Sequence, residues 1–291
     1  METERNLEPK PEISSQEGEQ QARDRMGIIQ LEYALKVKNG EVAPLGGKEK
    51  PADFEQAILE YTTIPRGISE AYYQRTGRHG DSEKNPEFVI ITQKILSEIC
   101  GAYEENNDLS VLPKKIHDII EKVVNTLPQK EFEKKENTER EKAGLLSFMV
   151  TDNYIKGLDT EGIADDAKCA DIHFDAFFRS KDENDQKPSL FRLKDSLKAL
   201  AKIIQDQHPE VQLIGGRSWI LDTNLAKKLG FKITDEEFSV GNGFWGQFVD
   251  QKGEIKEDKV EEFLKTGVPE YRLKVGYIPV KEFLEKYGED K

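Results

Sequence analysis

The stretch Val211-Gln-Leu-Ile-Gly-Gly-Arg-Ser-Trp-Ile-Leu-Asp-Thr-Asn-Leu-Ala-Lys-Lys-Leu-Gly-Phe231 limits what this chain can fold into more than any other part of the sequence. Val211 to Ile214 is a short apolar run that reads as a buried strand, and Gly215-Gly216-Arg217 reads as the turn after it. Asp222 is placed to cap a short helix, and Leu229-Gly230-Phe231 ends it, because glycine takes the left-handed backbone of a helix stop without strain. Upstream, Leu190 to Gln207 carries Leu193, Leu197, Leu200, Ala201 and Ile204 on one helical face, while Ala170 to Phe178 alternates with the two-residue period of a strand. Strand, helix, strand in that order predicts parallel neighbours joined by a right-handed crossover. Phe238 to Val249 and Tyr271 to Pro279 read as two further strands, with helices at Val260 to Lys265 and Val280 to Tyr287.

The amino-terminal half follows the helical period instead. Residues 1 to about 22 hold few bulky apolar side chains and are expected to form a disordered tail, since they cannot offset the entropy of ordering. Helices are expected from Ala22 to Lys38, stopped by Asn39-Gly40, from Pro51 to Tyr61, from Arg66 to Thr76 and, after Pro86, through Cys100. Beyond Pro113, residues Ile116, Ile119, Ile120, Val123, Val124 and Leu127 keep three-and-four spacing opposite a charged face. The charged run from Glu131 to Lys142 is read as a solvated helix that enters a core through Leu145, Leu146, Phe148, Met149, Tyr154 and Ile155. The expected fold class is therefore α+β or α/β: a helical amino-terminal half, 23–157, packed on a carboxyl-terminal mixed α/β sheet domain, 168–291.

Charge and cysteine content narrow the function classes. Lys+Arg 43 against Asp+Glu 56 gives a formal net charge of -13, which opposes nucleic acid and anionic membranes, and no strong basic cluster offsets it. No apolar run approaches the ~20 residues that cross a bilayer. The amino terminus lacks the basic start and apolar core of a secretory signal, so a cytoplasmic location is expected. Cys100 and Cys169 are the only cysteines and neither belongs to a Cys-x-x-Cys pair, so no disulfide framework and no zinc site are implied. Cys100 lies in an apolar helical pattern and reads as core. The acidic loop Gly157 to Lys168 lacks the ordered ligand register of a calcium loop, and no metal is expected.

The strongest chemical candidate is the alternation that puts Asp171, His173 and Asp175 on one strand face, away from Ile172, Phe174 and Ala176. A carboxylate beside a histidine can fix the ring's tautomer and make a general base suited to neutral pH; the same row also suits the wet side of a half-covered strand. Arg217 follows a strand, where α/β folds often hold anionic ligands, and Trp219 with Trp245, Phe244 and Phe248 can line a cleft or fill a core. His79, in Arg75-Thr-Gly-Arg-His-Gly80, sits in a basic turn that could accept an anion or simply lie at the surface. No phosphate loop, dinucleotide fingerprint or nucleophile elbow is present in the sequence.

The order strand, helix, strand, Asp222-x-Asn224-Leu-Ala226-x-x-Leu229-Gly230-Phe231 and a returning strand resembles the second half of the GNAT-like N-acyltransferase fold, over residues of about 168 to 250. The Ser218-Trp219-Ile-Leu-Asp222 run is similar to a Ser-Trp-Leu-Leu-Asp sequence in acyltransferase-like proteins with helical amino-terminal regions. The resemblance implies transfer from acetyl-CoA or another acyl-CoA to a small-molecule or protein amine, with the two parallel strands parting into a cleft. It places His173 or Asp175 as the base, Asp171, Arg217 and Trp219 about the substrate, and a backbone amide near Phe174 to Phe177 against the thioester carbonyl. The family's coenzyme A turn, Arg/Gln-x-x-Gly-x-Gly/Ala, is not written here: Phe178 to Arg192 contains no glycine and carries Asp182, Glu183 and Asp185. The alternative is a non-enzymatic binding or scaffold protein on the same core. Oligomeric state is open.

Overall fold

In a computed structural model of the chain, the residues described are 15–80, 85–129, 140–152, 164, 166–174, 189–237, 242–250 and 253–288. Five helices come first: α1 (Ser15–Asn39), α2 (Phe54–Tyr61), α3 (Ile64–Thr76), α4 (Pro86–Asn106) and α5 (Leu112–Val124). Their ends follow local chemistry. Asp53 accepts from the backbone N–H of Gln56 at 2.8 Å and so starts α2 at Phe54, later than Pro51 suggested. Asn85 accepts from Phe88 N–H at 3.2 Å ahead of Pro86 at the first position of α4. α1 begins at Ser15, inside the segment expected to be a tail; pairs one turn apart, Gln20 with Asp24 and Arg23 with Glu19, support this exposed first part.

The sheet has six strands among the described residues: β1 (Glu141–Ala143), β2 (Leu146–Asp152), β3 (Lys168–Phe174), β4 (Val211–Ser218), β5 (Lys232–Glu237) and β6 (Lys274–Pro279), in the spatial order β1-β2-β3-β4-β6-β5. β3 and β4 run parallel, joined by α6 (Ser189–Gln207), and the other neighbours are antiparallel. A short helix, α7 (Asn224–Leu229), connects β4 to β5 and stops at Gly230, whose φ is 95°. Its cap is Thr223, which accepts from Leu225 N–H at 3.2 Å, whereas Asp222 accepts from Arg272 N–H at 2.8 Å. α8 (Asn242–Trp245), α9 (Glu257–Thr266) and α10 (Val280–Tyr287) complete the elements.

Three expectations are corrected here. Residues 145–152, read as helix, form a turn and β2: Leu146, Phe148 and Val150 alternate onto one face, a pattern that only a strand buries. Residues 242–248, read as strand, form α8 and a 3-10 turn, because Phe244, Trp245 and Phe248 all reach one core in a way that alternation would prevent. Gly215-Gly216-Arg217 is not a turn but the middle of β4, and neither glycine has a positive φ. Gly216 is needed for close approach. It pairs with Gly276 of β6, and a Cβ on Gly216 would come within 3.2 Å of Ile172 while one on Gly276 would come within 3.0 Å of Ile233.

Two large cores result. One lies between the sheet and α6, α7 and α10, with Phe148, Ile172, Leu197, Ile214 and Phe283 buried in it. The other belongs to the helical layer, yet Phe244, Trp245, Phe248 and Phe263 come from the carboxyl-terminal half. Tyr33 of α1 stacks on Phe263 at 4.7 Å and meets Tyr61 edge-on at 5.5 Å. Arg25 clamps Glu257 of α9 through two hydrogen bonds, at 2.9 and 2.7 Å, and that pairing holds the Glu257 carboxyl below its ordinary range. The helical layer is thus completed by a chain segment that leaves the sheet after β5 and returns at β6.

Candidate functional site

Register fixes which side chains share the second face of the sheet, opposite α6 and α10. Partners directly across a ladder point the same way, so Ser147, His173 and their neighbours can be placed from pairing alone. Ser147 of β2 lies opposite His173 of β3, Met149 opposite Asp171, and Thr151 opposite Cys169. Across the parallel ladder, Cys169 is matched with Leu213 and Asp171 with Gly215. Arg217 stands two residues beyond Gly215 on β4, so it shares this face, and it is exposed.

The pair at the centre is Asp171 with His173. His173 Nε2 is 3.1 Å from Asp171 Oδ2, and both side chains are partly exposed, at 35% and 22%. The contact orients the ring and leaves its other nitrogen, Nδ1, for a substrate. Ser147 was not singled out by sequence reasoning, because a serine in a strand carries no signal of its own. Its side chain is 1% exposed, and its Oγ has no hydrogen-bond partner among the described residues. A buried hydroxyl without a partner costs stability, so its position beside His173 is informative.

Backbone geometry adds the second feature. The parallel ladder between β3 and β4 ends at Ile172 with Gly216. β3 runs on to Phe174 along β2, through Ser147 with His173 and Leu146 with Phe174, and β4 runs on to Ser218 along β6, through Arg217 with Val275 and Ser218 with Lys274. Among the described residues, the two strands are therefore held at their carboxyl ends by their outer neighbours and not by each other. The helical layer abuts this end, since a Cβ on Gly243 would lie 3.4 Å from the carbonyl oxygen of Arg217. Carboxyl ends of parallel strands are where open α/β sheets bind ligands.

The remaining candidates fall elsewhere. Trp219 begins the 3-10 turn after β4, stacks obliquely on Tyr271 at 5.5 Å, packs against the core beneath α6 and lies next to Gly246 of the helical layer. Asp175 lies outside the described residues, as does most of the loop from Gly157 to Lys168. Cys169 is buried in β3, where burial, with the Asp171 charge second, pushes its thiol up. Burial, with Glu55 as the leading charge, pushes Cys100 up to about 12, so neither thiol is a nucleophile at neutral pH. Arg75, in the basic turn, donates to the carbonyl oxygens of Leu127 and Asn125 past the end of α5, at 2.9 and 3.3 Å, and His79 stacks on Tyr73 at 4.8 Å. That turn caps a helix.

Among the described residues no group of three or more His, Cys, Asp or Glu side chains could hold a metal ion, and no helix is long and apolar enough to cross a membrane. No protein-family model, curated protein or solved structure matches the chain.

Proposed function

We propose that this chain is a GNAT-like N-acyltransferase whose reaction takes place where β3 and β4 part, with His173 as the general base and Asp171 as the residue that orients it. The observation that carries this reading is the end of the parallel ladder at Ile172 with Gly216, beside the His173 and Asp171 pair. Support comes also from the chain order: β3, α6, parallel β4, α7 ending in Leu229-Gly230-Phe231, then the returning β5, is the order implied by the sequence resemblance.

Acyl-coenzyme A, when bound, supplies an acyl group activated as a thioester. The fit of the described residues to such a reaction rests on Ser147, an orphaned buried acceptor next to His173 that suits the N–H of an amine. His173 takes the proton that the amine must lose as its nitrogen forms the new bond to the acyl carbon, and returns it as the carbon–sulfur bond breaks. Asp171 holds the ring in one orientation and balances the imidazolium that forms between those steps. Backbone amides on the inner edges of β3 and β4, beyond their last mutual pair, are the donors placed for the developing oxyanion. The exposed Arg217 offers a positive charge at the mouth.

The segment 178–192, without glycine, favours a second reading: a binding or scaffold protein on the same core that does not use coenzyme A. One experiment separates them. Release of free coenzyme A from acetyl-CoA is measured with a panel of primary amines, for the unaltered chain, for His173→Gln and for His173→Gln with Asp175→Asn. Amine-dependent release that falls by about 10²- to 10⁴-fold in both variants, at an unchanged melting temperature, is expected. Full activity in the double variant contradicts the assigned base. No amine-dependent release by the unaltered chain, together with no thermal shift on adding coenzyme A, leaves the binding reading in its place.

A further inference from the structure

A cleft of about 480 Å³ opens in the helical layer between α1 and residues 245–249 and 253–255, and its lining shares no residue with the face that carries His173. Met26, Val249 and Ile255 make its apolar wall, and Arg23, Gln30 and Trp245 its polar one. Two of these polar side chains are almost wholly buried, Gln30 at 4% exposure and Trp245 at 3%. Both leave donors unused. The indole N–H of Trp245 has no hydrogen-bond partner among the described residues. The Gln30 amide is held by Thr63, whose backbone N–H and hydroxyl donate to Oε1 at 2.8 and 3.0 Å; this fixes the oxygen toward Thr63 and leaves Nε2 without an acceptor among the described residues.

Buried donors are nearly always satisfied, so the unsatisfied indole N–H of Trp245 in the lining of a cleft requires a reason, and Gln30 of the same lining has its Nε2 to spare. We infer that this cleft binds a small organic acid, its carboxylate accepting from Trp245, Gln30 and Arg23 and its apolar body lying against Met26, Val249 and Ile255. The set is donor-only, and an ionised carboxylate is acceptor-only. Arg23 adds the charge: its partner is Glu19 at 3.6 Å, an exposed pair that exchanges at little cost. The volume lies within the roughly 300–1,000 Å³ of small-molecule sites. This inference does not rest on acyl transfer.

Phenylpropanoate, a carboxylate on a compact apolar body, is the probe. It is titrated into the full chain carrying Trp219→Phe, in which Trp245 is the single indole because the sequence holds two tryptophans. The same titration by ligand-observed NMR on the unaltered chain guards against any effect of that substitution on folding. A saturable change in both measurements is expected, with phenylpropanol binding at least about tenfold more weakly, a difference of about 1.4 kcal/mol. Gln30→Glu keeps an oxygen for Thr63 but replaces the free donor with a carboxylate, and is expected to weaken binding at least about tenfold. Arg23→Gln, at an exposed position that leaves the core intact, is expected to weaken it as well. No saturable change up to about 10 mM, equal binding of the alcohol, or unaltered affinity in Arg23→Gln and Gln30→Glu together would overturn the proposal.

Discussion

At the scale of single residues, identity alone revealed half of the candidate site. Asp171 and His173 announced themselves by alternation in an apolar strand, and they form the expected pair at 3.1 Å. Ser147 stayed silent, since its meaning comes from a register with β3 that no local pattern encodes. The aromatic residues behave likewise: Trp219 and Trp245 were indistinguishable in sequence, but one packs beside the sheet and the other carries an unsatisfied N–H in the helical layer. Tyrosines provide the residue-scale prediction. Burial pushes Tyr61 and Tyr287 up to about 12 from the ordinary 10, and Tyr287 Oη donates to the Leu229 carbonyl at 2.8 Å, a bond that only the protonated phenol makes. Between those values the folded protein retains protons that the unfolded chain releases, so stability is whole below about pH 10 and falls as pH rises toward 12. Urea midpoints taken across that range are expected to decline as the tyrosinate absorbance grows; a midpoint that stays level to pH 12 would contradict the burial of these rings.

At the scale of elements, strongly periodic segments were legible and short ones were not. The apolar stripe of α5, the crossover helix α6 and the Leu229-Gly230-Phe231 stop all follow from spacing and backbone preference. Residues 145–152 misled because Leu145, Leu146, Phe148 and Met149 suit either period over so short a length, and pairing with β3 decided the matter. The β1–β2 connection shows what the turn requires. Gly144 has φ 65°, and a side chain there would run into Ser196, whose hydroxyl accepts from Leu145 N–H at 2.8 Å and donates to the Arg192 carbonyl at 2.8 Å. Gly144→Ala is therefore expected to destabilise the protein by at least about 1–3 kcal/mol, from the left-handed backbone alone. Equilibrium urea denaturation measures it, and a loss below about 0.5 kcal/mol, the range of neutral surface changes, would show that the turn tolerates a side chain.

At the scale of the whole molecule, the sequence indicated a helical half, 23–157, before a sheet half; helices α1 to α5 do come first, but β1 and β2 of the sheet lie within that first span. What it could not show is that the helical layer borrows its centre from residues 244–273. Phe244, Phe248 and Phe263 surround Tyr33 and Trp245, and they arrive by an excursion between β5 and β6 whose first part, 238–249, reads locally as a strand although Val260 to Lys265 reads as the helix it is. A fragment of residues 15–129 lacks that centre. It is expected to show helical far-ultraviolet circular dichroism with poorly dispersed amide NMR signals, the mark of a collapsed but unpacked state. Sharp, dispersed signals would mean that the helices form a closed core unaided. Acyl transfer is proposed at the carboxyl ends of β3 and β4, where the two strands part beside His173. Hydrogen–deuterium exchange of the intact chain with and without saturating acetyl-CoA tests it most directly. Slowed exchange is expected in peptides covering residues 170–177 and 215–221; an unchanged pattern there, at a concentration of acetyl-CoA that raises the melting temperature, would contradict acyl transfer at this place.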